Sequence, residues 1–375
     1  MGYIKEKLMI TFESKEFATA LKTVSKVVPN RPSHPILGNI LIEVSDNEAC
    51  TLTGFDLSTS IRVEVTCVSD EKQTFTLPAQ LLNSICSKLP QGELTLSTEI
   101  TEESVKATLK SGSGKYELQG VPAADYPPLP SVEGQTGEIK ADSLNKALRI
   151  RSFASTDETK QVLTGVRISE VDNQLEFAAT DGHRLSVVDI GEFNLPENIT
   201  VPAKTLGTLS HILTNVGKDE VVSFQVHEGM VSFQVNNYSL TSRVLEGDYP
   251  EYQKLIPESF VGKVSVDCEE IMRAINMASL VGNKNDLVRL NFEDNHCKVT
   301  NESEKGSVEE QAGITIEDDP PEQICFAANY INEALKHIPS SSAKLCMNGN
   351  DQPAVLFPES DDNLLHLVMP VKIRD

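Results

Sequence analysis

The stretch "KEFATALKTVSKVV", residues 15–28, decides how the rest of the chain is read, because its pattern occurs three times. "DSLNKALRIRSFAS" (142–155) and "CEEIMRAINMASLV" (268–281) repeat an Ala followed by an aliphatic residue inside a helix-spaced run, at Ala20-Leu21, Ala147-Leu148 and Ala274-Ile275. The alanines stand 127 residues apart both times. Self-similarity at a fixed interval marks a chain built from copies of one unit. A second helical run follows in each copy: "LPAQLLNSICSKL" (77–89), "VPAKTLGTLSHIL" (201–213) and "FAANYINEALKHI" (326–338). The first two place Pro78 and Pro202 at an expected first-turn position.

Between the helices lie short alternating or β-branched runs such as "LIEV", "TLTGF", "IRVEVTCV" and "ELTLST", the pattern of antiparallel strands with one buried face. Asp-Asn pairs at 46-47, 172-173 and 294-295 end one such run in every copy, where a short polar side chain tolerates turn backbone. "AADYPPLPSVEGQTG" (123–137) and "EGDYPEYQKLIPESF" (246–260) both carry Asp-Tyr-Pro and read as linkers. The expected fold is α+β: three tandem copies of one domain, over 1–130, 131–257 and 258–375, each with two helices on roughly eight antiparallel strands.

Lys and Arg number 33 against 55 Asp and Glu, a formal charge of −22, which favours solubility and repels polyanions. The charge is unevenly spread. The six helical segments sum to +6, which leaves −28 for everything else. Helices gathered on one side would present a basic face inside an acidic protein, the footprint of a phosphate-contacting channel. Lys146, Arg149, Arg151 and Lys204 are the candidate cations. The absence of Trp, with aromatics at 5%, disfavours a platform for stacking bases.

Several chemistries are not signalled. "SGSGKYELQG" (111–120) has Tyr116 after Gly114-Lys115 and Leu109 where a phosphate loop needs glycine, so a hairpin turn is expected. The seven histidines show no zinc-helix spacing, and the seven cysteines form no C-x-x-C pair. No metal, cofactor or catalytic residue is expected. "MGYIKEKLMI" lacks the apolar core of a signal peptide and no run approaches a membrane span, so the expected location is cytoplasmic. The paired acids Glu269-Glu270, Asp318-Asp319 and Asp361-Asp362 read as solvated surface.

"LEFAATDGHRLSVVDI" (175–190) reads as two strands joined near Asp181-Gly182, yet a turn alone does not account for His183 and Arg184. Two alternatives stand here: an enzyme using Asp181 and His183 as acid and base, and a repeat scaffold that binds proteins only.

"ATDGHRL" (179–185) is joined by "RPSHPILGNILIEV" (31–44), "LTGFDL" (52–57), "VPAADYPPLP" (121–130), "GDYPEYQKLIP" (247–257) and the terminal "VMPVKI". Together, over the whole chain and in order, they resemble the bacterial DNA polymerase III beta subunit family, the sliding clamps. The resemblance implies a non-catalytic homodimeric ring around duplex DNA, associated with the nucleoid and opened by an ATP-driven clamp loader. It implies a pocket for short peptides of the polymerase catalytic subunit, the loader, and other polymerases and repair proteins. By position, Thr180, Gly182, His183, Arg184 and Leu185 form one wall, with Val162, Leu163, Pro250, Lys254 and Leu255 beside them, and Tyr330, Val368, Met369, Pro370 and Val371 closing it. Arg31 matches a DNA-facing position. Val162 and Ala327 replace an aromatic residue and an Asn that many members carry, which implies a shallower pocket, and Asp157 and Glu158 place acid near the expected DNA path.

Overall fold

The computed structural model describes residues 8–45, 48–69, 71–134, 136–282, 287–359 and 363–372. The Asp46-Asn47 and Asp361-Asp362 pairs, Lys284 and Ile373 lie outside these residues.

Among the described residues six α-helices occupy the expected segments: α1 Ser14–Val24, α2 Ala79–Cys86, α3 Ala141–Ala147, α4 Ala203–Leu213, α5 Cys268–Ser279 and α6 Ala328–His337. Helix α1 starts where the Glu13 carboxylate accepts the Glu16 N–H at 2.7 Å, and α5 where Asp267 accepts that of Glu270 at 2.8 Å. Both acids satisfy an orphan donor and sit at the positive end of the helix dipole. Phe17, Ala20, Leu21 and Val24 form the buried stripe of α1, and Ile271, Ala274, Ile275 and Ala278 that of α5. The end of α1 rests on strand 49–55, where a Cβ on Gly54 would stand 2.4 Å from the Val24 carbonyl oxygen. Only glycine admits that approach.

Two expectations shift by a turn or less. Pro78 and Pro202 end strands 73–78 and 199–202 and directly precede α2 and α4. With no N–H to leave unpaired, proline suits that step from strand to helix. In the second copy the α-helix stops at Ala147 and tightens into a 3-10 turn over Leu148–Phe153. The tighter winding buries Leu148, Ile150 and Phe153 together, and Arg151 Nη1 donates to the Leu148 carbonyl at 2.8 Å.

Each copy contributes eight strands among the described residues, all paired antiparallel. The Asp172-Asn173 link has both residues at positive φ (50° and 64°), the geometry of a two-residue hairpin. Gly112-Ser113 likewise joins strands 105–111 and 114–122, so "SGSG" is a turn.

The chain divides into two compact units, Met1–Asn145 with Lys204–Val244, and Lys146–Ala203 with Leu245–Asp375. In the first, the eight strands of the first copy close on themselves, because strand 8–13 pairs with both 93–100 and 59–69. Strand 59–69 also pairs with 238–243 of the second copy, extending the sheet through 230–235 and 221–227 to 136–140. In the second unit, strand 184–192 of the second copy pairs with 364–368 of the third. Both joins link the fourth strand of one copy to the eighth strand of the next. The second copy is thus shared between two sheets, which is why two units emerge from three repeats.

Candidate functional site

In the second unit, Thr180 ends strand 174–180 and Arg184 begins strand 184–192. Asp181 folds the link between them. Its Oδ1 accepts the backbone N–H of His183 at 2.9 Å and of Arg184 at 3.1 Å, a side-chain-stabilised turn, and Gly182 takes φ +94°. Thr180 Oγ1 donates to the Arg184 carbonyl at 2.6 Å and accepts the Gly182 N–H at 3.1 Å. Tyr249 anchors the strand from outside, its hydroxyl accepting the Thr180 N–H at 3.2 Å.

The turn delivers Arg184 inward, where its side chain is 9% exposed. Nε donates to Asp181 Oδ2 at 3.0 Å, Nη1 to Glu333 Oε2 at 2.6 Å, and Nη2 to the Ser152 carbonyl at 2.9 Å. The guanidinium carbon lies 5.0 Å from the Phe153 ring centre and 4.9 Å from that of Tyr330. Burial pushes the Glu333 carboxyl up, but the hydrogen bond and charge of Arg184 outweigh it and hold the group below its ordinary range. A buried charge needs such partners, and Arg184 has two carboxylates and a carbonyl.

The other expected residues fall into three sets. Leu185 and Val368 are wholly buried beneath the turn, with Arg184 opposite Val368 and Leu185 opposite Leu367. At the surface, the His183 ring stacks on Tyr330 with centres 6.0 Å apart, and the His183 carbonyl accepts the Met369 N–H at 2.9 Å. Pro250 lies beside the anchoring Tyr249 and is exposed, while Val162 and Leu163 are half-buried on the 3-10 turn Gln161–Thr164. Lys254 pairs with Glu251, and Leu255 is 53% exposed; among the described residues no hydrogen bond, ion pair or ring contact ties either to the turn. Val371 donates its N–H to the Cys325 carbonyl at 2.8 Å and faces a separate recess with Arg289, Gln323 and Lys372.

Sequence reasoning missed Asp181, Ser152, Phe153, Tyr249 and Glu333 as members of this cluster. The i,i+3 spacing of Tyr330 and Glu333 on one helix was the available hint for Glu333. The acid–base alternative fails on geometry, since both Asp181 oxygens are engaged by backbone N–H groups and Arg184. Of the candidate DNA cations, Arg31, Lys146, Arg149 and Lys204 are exposed, whereas Arg151 is half-buried and turned back on Leu148. Among the described residues no His, Cys, Asp and Glu cluster could hold a metal ion, and no helix is long and apolar enough to cross a membrane.

Three family models match consecutively: the N-terminal, central and C-terminal domains of the DNA polymerase III beta subunit, over residues 8–130, 138–251 and 253–372. The chain belongs to the DNA polymerase III beta subunit family. A beta sliding clamp from Synechocystis sp. is 37% identical, with 96% of this chain and 97% of that protein covered. One from Staphylococcus aureus is 30% identical over 96% and 98%. The DNA polymerase sliding clamp of Bacillus subtilis superposes with a TM-score of 0.89 at 28% identity, covering 98% of this chain and all of that one (100%). A DnaN sliding clamp from Bartonella birtlesii, solved bound to griselimycin, gives 0.90 at 28% identity and the same coverage, 98% and 100%. Membership carries the function of a DNA sliding clamp in replication, and the protein-only scaffold alternative falls with it.

Proposed function

We propose that the chain closes head to tail with a second copy into a ring around duplex DNA. It holds the catalytic subunit of DNA polymerase III on its template and is itself non-catalytic. In this reading the surface around Thr180, Gly182, His183 and Tyr330, with Val162, Leu163, Pro250 and Met369 at its margins, docks short peptides of the polymerase, the clamp loader, and other polymerases and repair proteins. Arg31, Lys146, Arg149 and Lys204 face the phosphates, contacts that give affinity without sequence preference. The working division of the chain remains 1–130, 131–257 and 258–375. Seven buried free thiols fit a reducing cytoplasm, at the nucleoid.

The observation that carries the reading is the repeated join. Strand four of one copy pairs with strand eight of the next, twice. The pattern leaves strand 306–318 of the third copy and strand 114–122 of the first to complete it with a second molecule, a heterologous contact that closes after two chains. The register follows from the internal joins. Thr59, Arg184 and Gly306 open the equivalent strands, after turns in which Asp56, Asp181 or Ser303 accepts a backbone N–H. Ser242 lies opposite Thr59, and Leu118 holds the same place as Ser242, each four residues past the hairpin residue, Tyr238 or Gly114, that opens its strand. Gly306 therefore pairs with Leu118, and Glu309 with Lys115.

The deciding experiment loads the protein with a clamp loader and ATP onto nicked circular duplex and onto the same duplex linearised. Retention on the circle with loss from the linear form is expected; equal retention on both would refute encirclement. A chain carrying K115C and E309C is expected to crosslink into dimers on mild oxidation. Preferential crosslinking of K115C with Q311C would refute the register.

A further inference from the structure

A second cavity in the same unit, of about 150 Å³, is lined by Lys146, Arg149, Ile150, Val188, His337, Pro339, Leu364 and His366. Its composition divides by chemistry. Ile150, Val188 and Leu364 are all buried and supply an apolar floor. Lys146 and Arg149 are exposed and bring two fixed positive charges, with no carboxylate in the lining. An apolar cavity near 150 Å³ admits a molecule the size of benzene.

His366 is the anomaly. It is 0% exposed, and one ring nitrogen, Nδ1, lies 2.8 Å from Ser186 Oγ. The other, Nε2, is enclosed near the His337 backbone but meets no hydrogen-bond geometry there, and it finds no partner among the described residues. Burial drives the ring's pKa down to about 3, so it is neutral at working pH. Either tautomer leaves a polar nitrogen unsatisfied, a desolvation cost carried at the wall of the cavity.

We propose that this cavity is a binding site for a small apolar carboxylic acid, its body on Ile150, Val188 and Leu364 and its carboxylate held by Lys146 and Arg149 near His366. The surroundings give such a ligand a route to the docking turn. The His366 ring stacks on Phe153 with centres 4.8 Å apart, and Phe153 lies under the Arg184 guanidinium. His337 Nε2 lies 3.0 Å from Ser152 Oγ, and the Ser152 carbonyl accepts from Arg184. Occupancy therefore changes the peptide affinity of the turn, a consequence that rests on the docking role proposed above; binding itself does not.

The test uses the full chain with benzoate and hexanoate as probes and their primary amides as controls. Titrations are followed by calorimetry and by NMR of the His366 and Phe153 ring resonances. Either acid is expected to shift both rings and to bind at least tenfold more tightly than its amide. A chain carrying both Lys146→Gln and Arg149→Gln is expected to lose most of that preference while keeping its fold, read from unchanged far-ultraviolet circular dichroism. Ring resonances that stay put under either acid would overturn the site, and acid and amide binding alike would overturn the carboxylate assignment. Saturable binding that leaves peptide affinity untouched would refute only the coupling to the docking turn.

Discussion

The turn at Asp56 and the turn at Asp181 are the same piece of backbone put to different use. Each begins with an Asp whose Oδ1 accepts two following N–H groups, those of Ser58 and Thr59 in one and of His183 and Arg184 in the other. Each has a positive-φ residue next, Leu57 at 77° and Gly182 at 94°. Each delivers its fourth residue to the next copy's second helix, Thr59 to Thr205 and Arg184 to Tyr330. In the first unit that contact is a cluster of buried hydroxyls, Thr59, Thr205 and Ser242, with oxygens 3.1 to 3.4 Å apart. In the second it is a guanidinium between two aromatic rings and two acids. A small hydroxyl cluster needs only itself and makes a quiet joint. The charged cluster holds His183 and Tyr330 at the surface, the joint to which we assign partner docking.

That difference gives removal of the fourth residue unequal costs. Arg184→Ala strands Asp181 and Glu333 without their cation and is expected to cost about 3 kcal/mol, whereas Thr59→Ala is expected to cost about 1 kcal/mol; urea denaturation measures both. Equal losses would show the two joints to be energetically alike. A second contrast is in pH. Unfolding frees His366 to take up a proton at its ordinary pKa near 6.5, while the folded ring resists protonation down to about 3. Its folded pKa is depressed, so its contribution is intact above pH 6.5 and is lost as pH falls, at about 1.4 kcal/mol per pH unit while the difference persists. Stability measured from pH 7 to 4.5 is expected to fall less steeply in His366→Asn than in the parent chain. The smallest effect concerns the positive-φ position. Leu57→Gly is expected to stabilise by up to about 1 kcal/mol by relieving left-handed strain, and Gly182→Leu to destabilise by about 1 to 2 kcal/mol. If Gly182→Leu proved neutral, the second turn would not require its glycine.

The parts legible in the sequence were the local ones. Helical spacing around Ala20, Ala147 and Ala274, the Asp172-Asn173 hairpin and the Gly112-Ser113 turn depend on residues a few positions apart, and period and turn chemistry report them directly. The 3-10 tightening after Ala147 was hidden, because it answers to the burial of Ile150 and Phe153 and not to local preference. The partners of Arg184 were hidden for a similar reason. Glu333 stands 149 positions away and Ser152 stands 32 away, and no spacing rule connects them. Family resemblance pointed to Thr180–Leu185, but not to the acids and the Phe153 ring that pack around Arg184.

The two joins have a consequence for proteolysis. Residues 123–137 and 246–260, rich in proline and exposed side chains, are natural places for a protease to cut. The strands at 59–63 and 238–242 lie on either side of the first, and those at 184–188 and 364–368 flank the second, paired in each case. Each cut would leave its two fragments stitched by a five-rung antiparallel ladder and by the core packed on it. The bands on a denaturing gel would separate while the native particle stayed whole.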